Sequence, residues 1–257
     1  MKAVFFSNKG PAREHNEDAL FMAGNVISGC SMSFPAEIDT ENEDNCFIVI
    51  DGMGGYEGGE RVARIIASAF IDNSGSWNIS INEAQSKINL ILNSTVNKIA
   101  AAVIDKPELA SMGAALAGIV FCDNKALIFN CGDCRVYRQN GQYLEKLSHD
   151  HSVVQELCDA GEIEEDEMRT HVKKNIITAC VTSKAADLNI YFRDISAIKE
   201  HERFLVCSDG VWEALSLDEI ESCLCEDISD TANNIAKKLL SLEEHCHDNI
   251  SFEIIEN

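Results

Sequence analysis

Between residues 112 and 144 apolar runs follow one another with only turn residues between them: 115–121, Asp123-Asn124, 126–131, Gly132-Asp133, then 136–138. Asn140-Gly141 has the signature of a two-residue hairpin and precedes Tyr143-Leu144. Strands delivered consecutively pair antiparallel, whereas a doubly wound parallel sheet needs a crossover helix after each strand. Further short apolar runs at 4–6, 19–22, 47–50, 190–195, 203–207 and 250–255 extend the strand count. The residues therefore predict packed antiparallel sheets with helices outside.

The helices announce themselves by period. Val62, Ile65, Ile66, Ala69 and Phe70 recur at helical spacing, as do Ile88, Ile91, Leu92, Thr95, Ile99 and Val103, with Pro107 ending the second set. Residues 151–160 predict a short helix stopped by Gly161, and 227–244 an amphipathic one. Residues 24–45, with Gly24, Gly29, Pro35 and the acidic run 39–44, suit a surface excursion, and the charged segment 162–174 an exposed loop. No Pro- or Ser-rich linker and no repeat divides the 257 residues, so one domain, 1–257, is expected.

Charge narrows the partners. With 21 basic and 43 acidic side chains, a net −22 repels nucleic acid and anionic membrane surfaces and favours cations. The longest apolar run, 112–122, is too short for a membrane span, and the N-terminal apolar stretch is too short for a signal peptide. Eleven irregularly spaced cysteines, an odd number, fit reduced thiols in a cytoplasmic protein.

Several acids stand beside apolar runs: Asp51 after 47–50, Asp209 after 203–207, Asp248 before the last strand, and Glu17 and Asp18 before 19–22. Carboxylates mounted on rigid strand ends repel one another unless protonated or neutralised, and hard divalent ions such as Mg²⁺ or Mn²⁺ prefer oxygen ligands. The glycines of Asp51-Gly-Met-Gly-Gly-Tyr-Glu-Gly-Gly-Glu60 let backbone approach such a centre closely. Each Asp alone could simply cap a turn. A dinucleotide loop fails because Glu57 replaces its third glycine, a phosphate loop lacks its lysine, and the 39–50 segment lacks the glycine and final acid of an EF-hand.

In order, Gly10-Pro-Ala-Arg-Glu-His-Asn-Glu-Asp18, Ile50-Asp-Gly-Met-Gly-Gly55, Asn130-Cys-Gly-Asp-Cys-Arg135, Leu147-Ser-His-Asp-His-Ser152, Asn175-Ile-Ile-Thr-Ala179, Cys207-Ser-Asp-Gly210 and His247-Asp-Asn-Ile-Ser251 resemble the metal-dependent protein phosphatase family, type 2C, in its bacterial form. The resemblance implies an α+β fold: a β-sandwich of two antiparallel sheets flanked by helices on both sides, with two Mn²⁺ or Mg²⁺ ions at one end. Asp51 resembles the carboxylate bridging both metals, and Gly52 the carbonyl donor. Asp209 and Asp248 resemble ligands of one ion, and Glu17 the acid serving the other, with Asp18 beside it. Arg13 resembles the arginine that holds the substrate phosphate, and Asp133 with Asp209 the pair for a third, weaker metal site near a flap at 162–174.

The activity that this resemblance implies is hydrolysis of phosphoserine or phosphothreonine in proteins by a water shared between the cations, with no nucleophilic side chain. The expected partner is a phosphoprotein, the target of a serine/threonine kinase, and the expected state a monomer in the cytoplasm. Met53 and Tyr56 stand where relatives often carry His, and Cys134 where Ser is usual. These departures support one alternative, a catalytically weak regulatory module that binds a phosphoprotein. Cys131-Gly-Asp-Cys134 has redox spacing but joins two strands, and Cys223, Cys225, His245, Cys246 and His247 are better read as structural than as a zinc site. Hydrogen-bonding roles are expected for His149 and His151, and a core position for Trp212.

Overall fold

A computed structural model describes residues 1–257 apart from 41–44, 55–56, 74–76, 123, 243–245 and 247, and apart from the side chains of Asp39 and Glu57. In chain order the strands are β1 (Lys2–Asn8), β2 (Ala19–Met22), β3 (Asn25–Ser28), β4 (Ala36–Asp39), β5 (Cys46–Met53), β6 (Gly113–Cys122), β7 (Lys125–Cys131), β8 (Arg135–Asn140), β9 (Tyr143–Lys146), β10 (Tyr191–Ser196), β11 (Arg203–Cys207) and β12 (Ile250–Glu256). The helices are α1 (Glu57–Asp72), α2 (Ile81–Asp105), α3 (Val153–Asp159), α4 (Asp209–Trp212), α5 (Leu217–Glu221) and α6 (Ile228–Leu240). Among the described residues the strands form two six-stranded sheets, β4-β1-β12-β11-β8-β9 and β10-β7-β6-β5-β2-β3, with antiparallel pairing throughout.

Alternation along each strand separates three apolar layers. On β5, Phe47 and Val49 point between the sheets, while Ile48 and Ile50 meet Val62, Ile66 and Phe70 of α1 and Ile88 and Leu92 of α2. On β12, Phe252 and Ile254 meet Ile235, Ala236 and Leu239 of α6, while Ile255 faces the other sheet. The order of layers is helix, sheet, sheet, helix, as the resemblance implies.

Local chemistry explains the helix ends. Ser80 and Glu83 form a reciprocal capping box at the start of α2, and Pro107 opens the 3-10 turn Pro107–Ser111 that follows it. The helix expected over 227–244 is shorter: Asp227 accepts the Ser229 N–H as its cap, and α6 ends at Leu240. Where the sequence suggests only an excursion, residues 24–45 supply both β3 and β4, one edge strand for each sheet. Such short strands, with one neighbour each, carry little periodic signal.

Candidate metal and phosphate site

The expected site residues meet at one end of the sandwich, in a cleft of about 620 Å³. Arg13, Glu17, Asp51, Gly52, Asp133, Asp209 and Asp248 all line it, and Asp18 is fully buried behind it. Asp51 and Gly52 belong to β5 itself, paired with Ala115 and Ala114, so the bridging candidate sits within the last residues of the strand rather than beyond its end. Asp209 opens α4 directly after β11.

Backbone approach explains the glycines. A Cβ on Gly52 would lie 2.4 Å from the Gly59 carbonyl oxygen and 2.5 Å from that of Glu17, and one on Gly59 would lie 2.1 Å from Glu17 Oε2. The end of β5, the first turn of α1 and the Glu17 segment therefore cross with no room for a side chain. Asn249 holds the other wall together: its Nδ2 donates to the carbonyls of Lys9 and His15, both at 2.9 Å, and its Oδ1 accepts the Glu17 N–H at 2.8 Å. Arg13 Nη2 donates to Asp248 Oδ2 at 2.7 Å, with the guanidinium half exposed at the mouth.

The electrostatics are those of buried carboxylates that outnumber the one guanidinium among them. Burial, followed by the neighbouring acids Asp209, Asp18, Asp248 and Asp133, holds the Asp51 carboxyl well above its usual range. Burial, then Asp133, does the same for Asp209, while Asp51 shares a hydrogen bond with it. Asp18 is pushed up to about 7, chiefly by burial, against the opposing Ser251 and Ser208 hydrogen bonds. Asp133 is likewise pushed up to about 7 by burial, with Asp150 and Glu213 contributing. One oxygen each of Asp18, Asp133 and Asp209 is buried with no hydrogen-bond partner.

Among the described residues no three His, Cys, Asp or Glu side chains close on one point as a ready-made cage. Like charges stand apart, and the Asp51–Asp209 and Arg13–Asp248 pairs satisfy them in part. The donor set nevertheless fits hard divalent cations. It is oxygen only, it is over-supplied with carboxylates, and its orphaned oxygens border a cleft.

A layer of support behind Asp133 was not identified from the residues alone. Arg135 bonds Asp150 through Nε at 2.9 Å and Nη2 at 2.6 Å, donates to the Tyr137 hydroxyl at 3.2 Å, and lies 3.5 Å over the Trp212 ring. Trp212 Nε1 donates to the Asp133 carbonyl at 3.0 Å. His151 Nδ1 accepts the Gly132 N–H, so this histidine and Trp212 are structural, as expected. The available signal was the pairing of Arg135 and Asp150 in two motifs that abut consecutive strands.

The discounted signals resolve similarly. Cys131 packs toward α1 and α2 and Cys134 between the sheets, so the two thiols of the redox-like motif enter different layers, and among the described residues no cysteine is in a disulfide. Cys223 and Cys225 lie in the turn after α5 rather than on a helix; Cys223 is buried against α6. Met53 packs against the inter-sheet core while lining the cleft. Tyr56, His245 and His247 lie outside the described residues. Among the described residues no helix is long and apolar enough to cross a membrane.

The model of the family described as Protein phosphatase 2C matches residues 36–242. The serine/threonine protein phosphatase PstP of Mycobacterium tuberculosis is 24% identical over 250 residues, covering 95% of this chain and 43% of that protein. The serine/threonine phosphatase stp of Listeria monocytogenes is 28% identical over 231 residues, covering 87% of this chain and 83% of that protein. The chain thus spans less than half the length of one relative and most of the other. The crystal structure of M. tuberculosis PstP/Ppp superposes with a TM-score of 0.81 at 22% identity, over 99% of this chain and 98% of that one. The catalytic domain of PstP in complex with two manganese ions superposes with a TM-score of 0.77, also at 22% identity and covering 99% and 98%. With a family match over most of its length and this sandwich around an acidic cleft, the chain belongs to the protein phosphatase 2C family.

Proposed function

We propose that the chain is a Mn²⁺- or Mg²⁺-dependent hydrolase of phosphoserine and phosphothreonine in proteins. The observation that carries this is the convergence, on one cleft, of Glu17, Asp51, Asp133, Asp209 and Asp248 from distant parts of the sequence, with unpartnered buried oxygens among them. When bound, two divalent cations supply the Lewis acidity that activates water and neutralises phosphoryl charge. Asp51 would hold the ions, with Gly52 lending its carbonyl oxygen; Asp209 and Asp248 would serve one ion and Glu17 the other, with Asp18 behind it.

Arg13 at the mouth binds the substrate phosphate, because a planar guanidinium can offer parallel donors to two phosphoryl oxygens and a lysine cannot. The chain's own residues thus bind and orient, and none is placed as a covalent nucleophile. Asp133, beside Asp209 and with an orphaned oxygen, suits a third and weaker cation. The 162–174 segment acts as a flap: its 3-10 turn Glu165–Thr170 is tied down by Arg169 to the Glu213 carbonyl and by the Lys174–Glu213 ion pair, next to α4.

The partner is a phosphoprotein, the target of a serine/threonine kinase, met by a monomer in the cytoplasm. The catalytically weak regulatory module gains no support from the site, since Met53 and Cys134 leave every carboxylate in place. The test is phosphate release from a phosphothreonine peptide with Mn²⁺, with chelator and with Asp51→Asn. Turnover should need Mn²⁺ and fall by about 100-fold or more in the variant. Release that persists in chelator, or equally in Asp51→Asn, overturns the assignment.

A further inference from the structure

Beside the acidic cleft lies a larger groove, about 1050 Å³, of opposite chemistry. One face of α1 forms part of it, where Arg61, Arg64, Ile65 and Ser68 recur three or four residues apart. Lys98 of α2 and Lys106, just before the Pro107–Ser111 turn, add two more cations. In a chain of 43 acidic and 21 basic side chains, a groove lined by four Lys and Arg against Glu60 and Glu108 is a local reversal of sign.

Some of that charge is already used. Arg64 pairs with Glu60, and Lys98 with Asp72 at 3.0 Å. Among the described residues neither Arg61 nor Lys106 has an ion pair. Position matters equally: His15 lines both the groove and the acidic cleft, and the first turn of α1, two residues before Arg61, abuts Glu17 through Gly59. The basic groove is therefore continuous with the site where phosphate is expected. From Gly58 to Ser68 the helix rises about 15 Å, the reach of about four or five extended residues.

We propose that this groove binds an acidic peptide segment flanking the phosphorylated residue of the substrate, with Arg61 and Lys106 pairing its carboxylates. The assignment rests on the phosphatase reading of the neighbouring cleft and adds a substrate class to it. A chain of net −22 repels an acidic segment overall, so a groove lined by four Lys and Arg is where such a segment would dock.

The experiment uses one phosphothreonine peptide core with Asp and Glu on its N-terminal side, on its C-terminal side, or replaced by Asn and Gln, assayed with wild type and with Arg61→Glu/Lys106→Glu. One of the acidic flanks should raise kcat/KM about tenfold at low salt. The gain should vanish at about 0.5 M salt and in the double variant, which should hydrolyse p-nitrophenyl phosphate at the wild-type rate. Fluorescence anisotropy of a labelled acidic peptide without phosphate reads binding independently of turnover, and the variant should bind it about tenfold more weakly. An active enzyme indifferent to both flanks, or a variant that keeps the preference and the peptide affinity, overturns the groove assignment alone. A protein inert on every phosphopeptide that still binds the acidic peptide through Arg61 and Lys106 would support the groove and overturn the phosphatase reading.

Discussion

Glu253 is completely buried on β12, both its oxygens lack partners, and its register places it between Phe5 and Val206 in the sandwich interior. Burial is the sole cause that holds its carboxyl well above the usual range, so the folded protein keeps a proton that the unfolded chain releases. Stability must therefore fall as pH rises above about 4.3, where an unfolded Glu ionises, and go on falling until the folded group ionises too. Glu253→Met should remove that slope and raise stability at neutral pH by about 1–3 kcal/mol, read as a gain in Tm over wild type that is larger at pH 7.5 than at pH 5. The acids of the cleft differ in lying at an open space of about 620 Å³ from which a cation can reach them. Arg13→Lys keeps the charge at the mouth but loses the fork; kcat/KM on a phosphopeptide should drop about 10- to 100-fold, with Tm nearly unchanged. Asp51, Asp209 and Asp248 were legible because an acid before Gly or Asn at a strand end is an unusual mount. Glu253 was not, since nothing in Ile250-Ser-Phe-Glu-Ile-Ile255 tells which face of the strand is dry.

At the scale of elements, the turn between β7 and β8 that carries Asp133 is braced by the Arg135–Asp150 ion pair and by Trp212 at the end of α4. Both charges are buried, so removing one leaves the other uncompensated. Asp150→Ala should cost about 3–5 kcal/mol, measured by urea unfolding, whereas a paired Arg135→Met/Asp150→Leu replacement should cost much less. The long helices were readable from period and the central strand β6 from its unbroken apolar run, since α1 and α2 each bury one face and β6 is buried along its whole length. The edge strands β3 and β4 and the short α4 and α5 were not. Four- or five-residue elements hold too few positions for a period, and partners supplied by distant sequence decide them.

For the whole molecule, folding itself assembles mutually repelling acids, so stability and cation binding are linked. Mn²⁺ at about 100 times its Kd should stabilise wild type by about 2.7 kcal/mol, a rise in Tm of about 5–10 °C for a domain of this size. Chelator should reverse the rise, and Asp51→Asn should show little of it; an equal shift in both proteins would mean that the ions bind elsewhere. Packed antiparallel sheets with helices outside, and Asp51, Asp209 and Asp248 as acids beside strands, were determined by the sequence alone, because hydrophobic period and Asp-Gly or Asp-Asn pairing are properties of neighbouring residues, whereas Asp133 came only with the resemblance. Tertiary structure alone decided that Glu17, Asp51, Asp133, Asp209 and Asp248 share one cleft, that Arg135 meets Asp150, and that a basic groove adjoins an acidic site. Those are relations between segments up to 235 residues apart, as with Arg13 and Asp248, and only the register and packing of two sheets bring them within reach of one another.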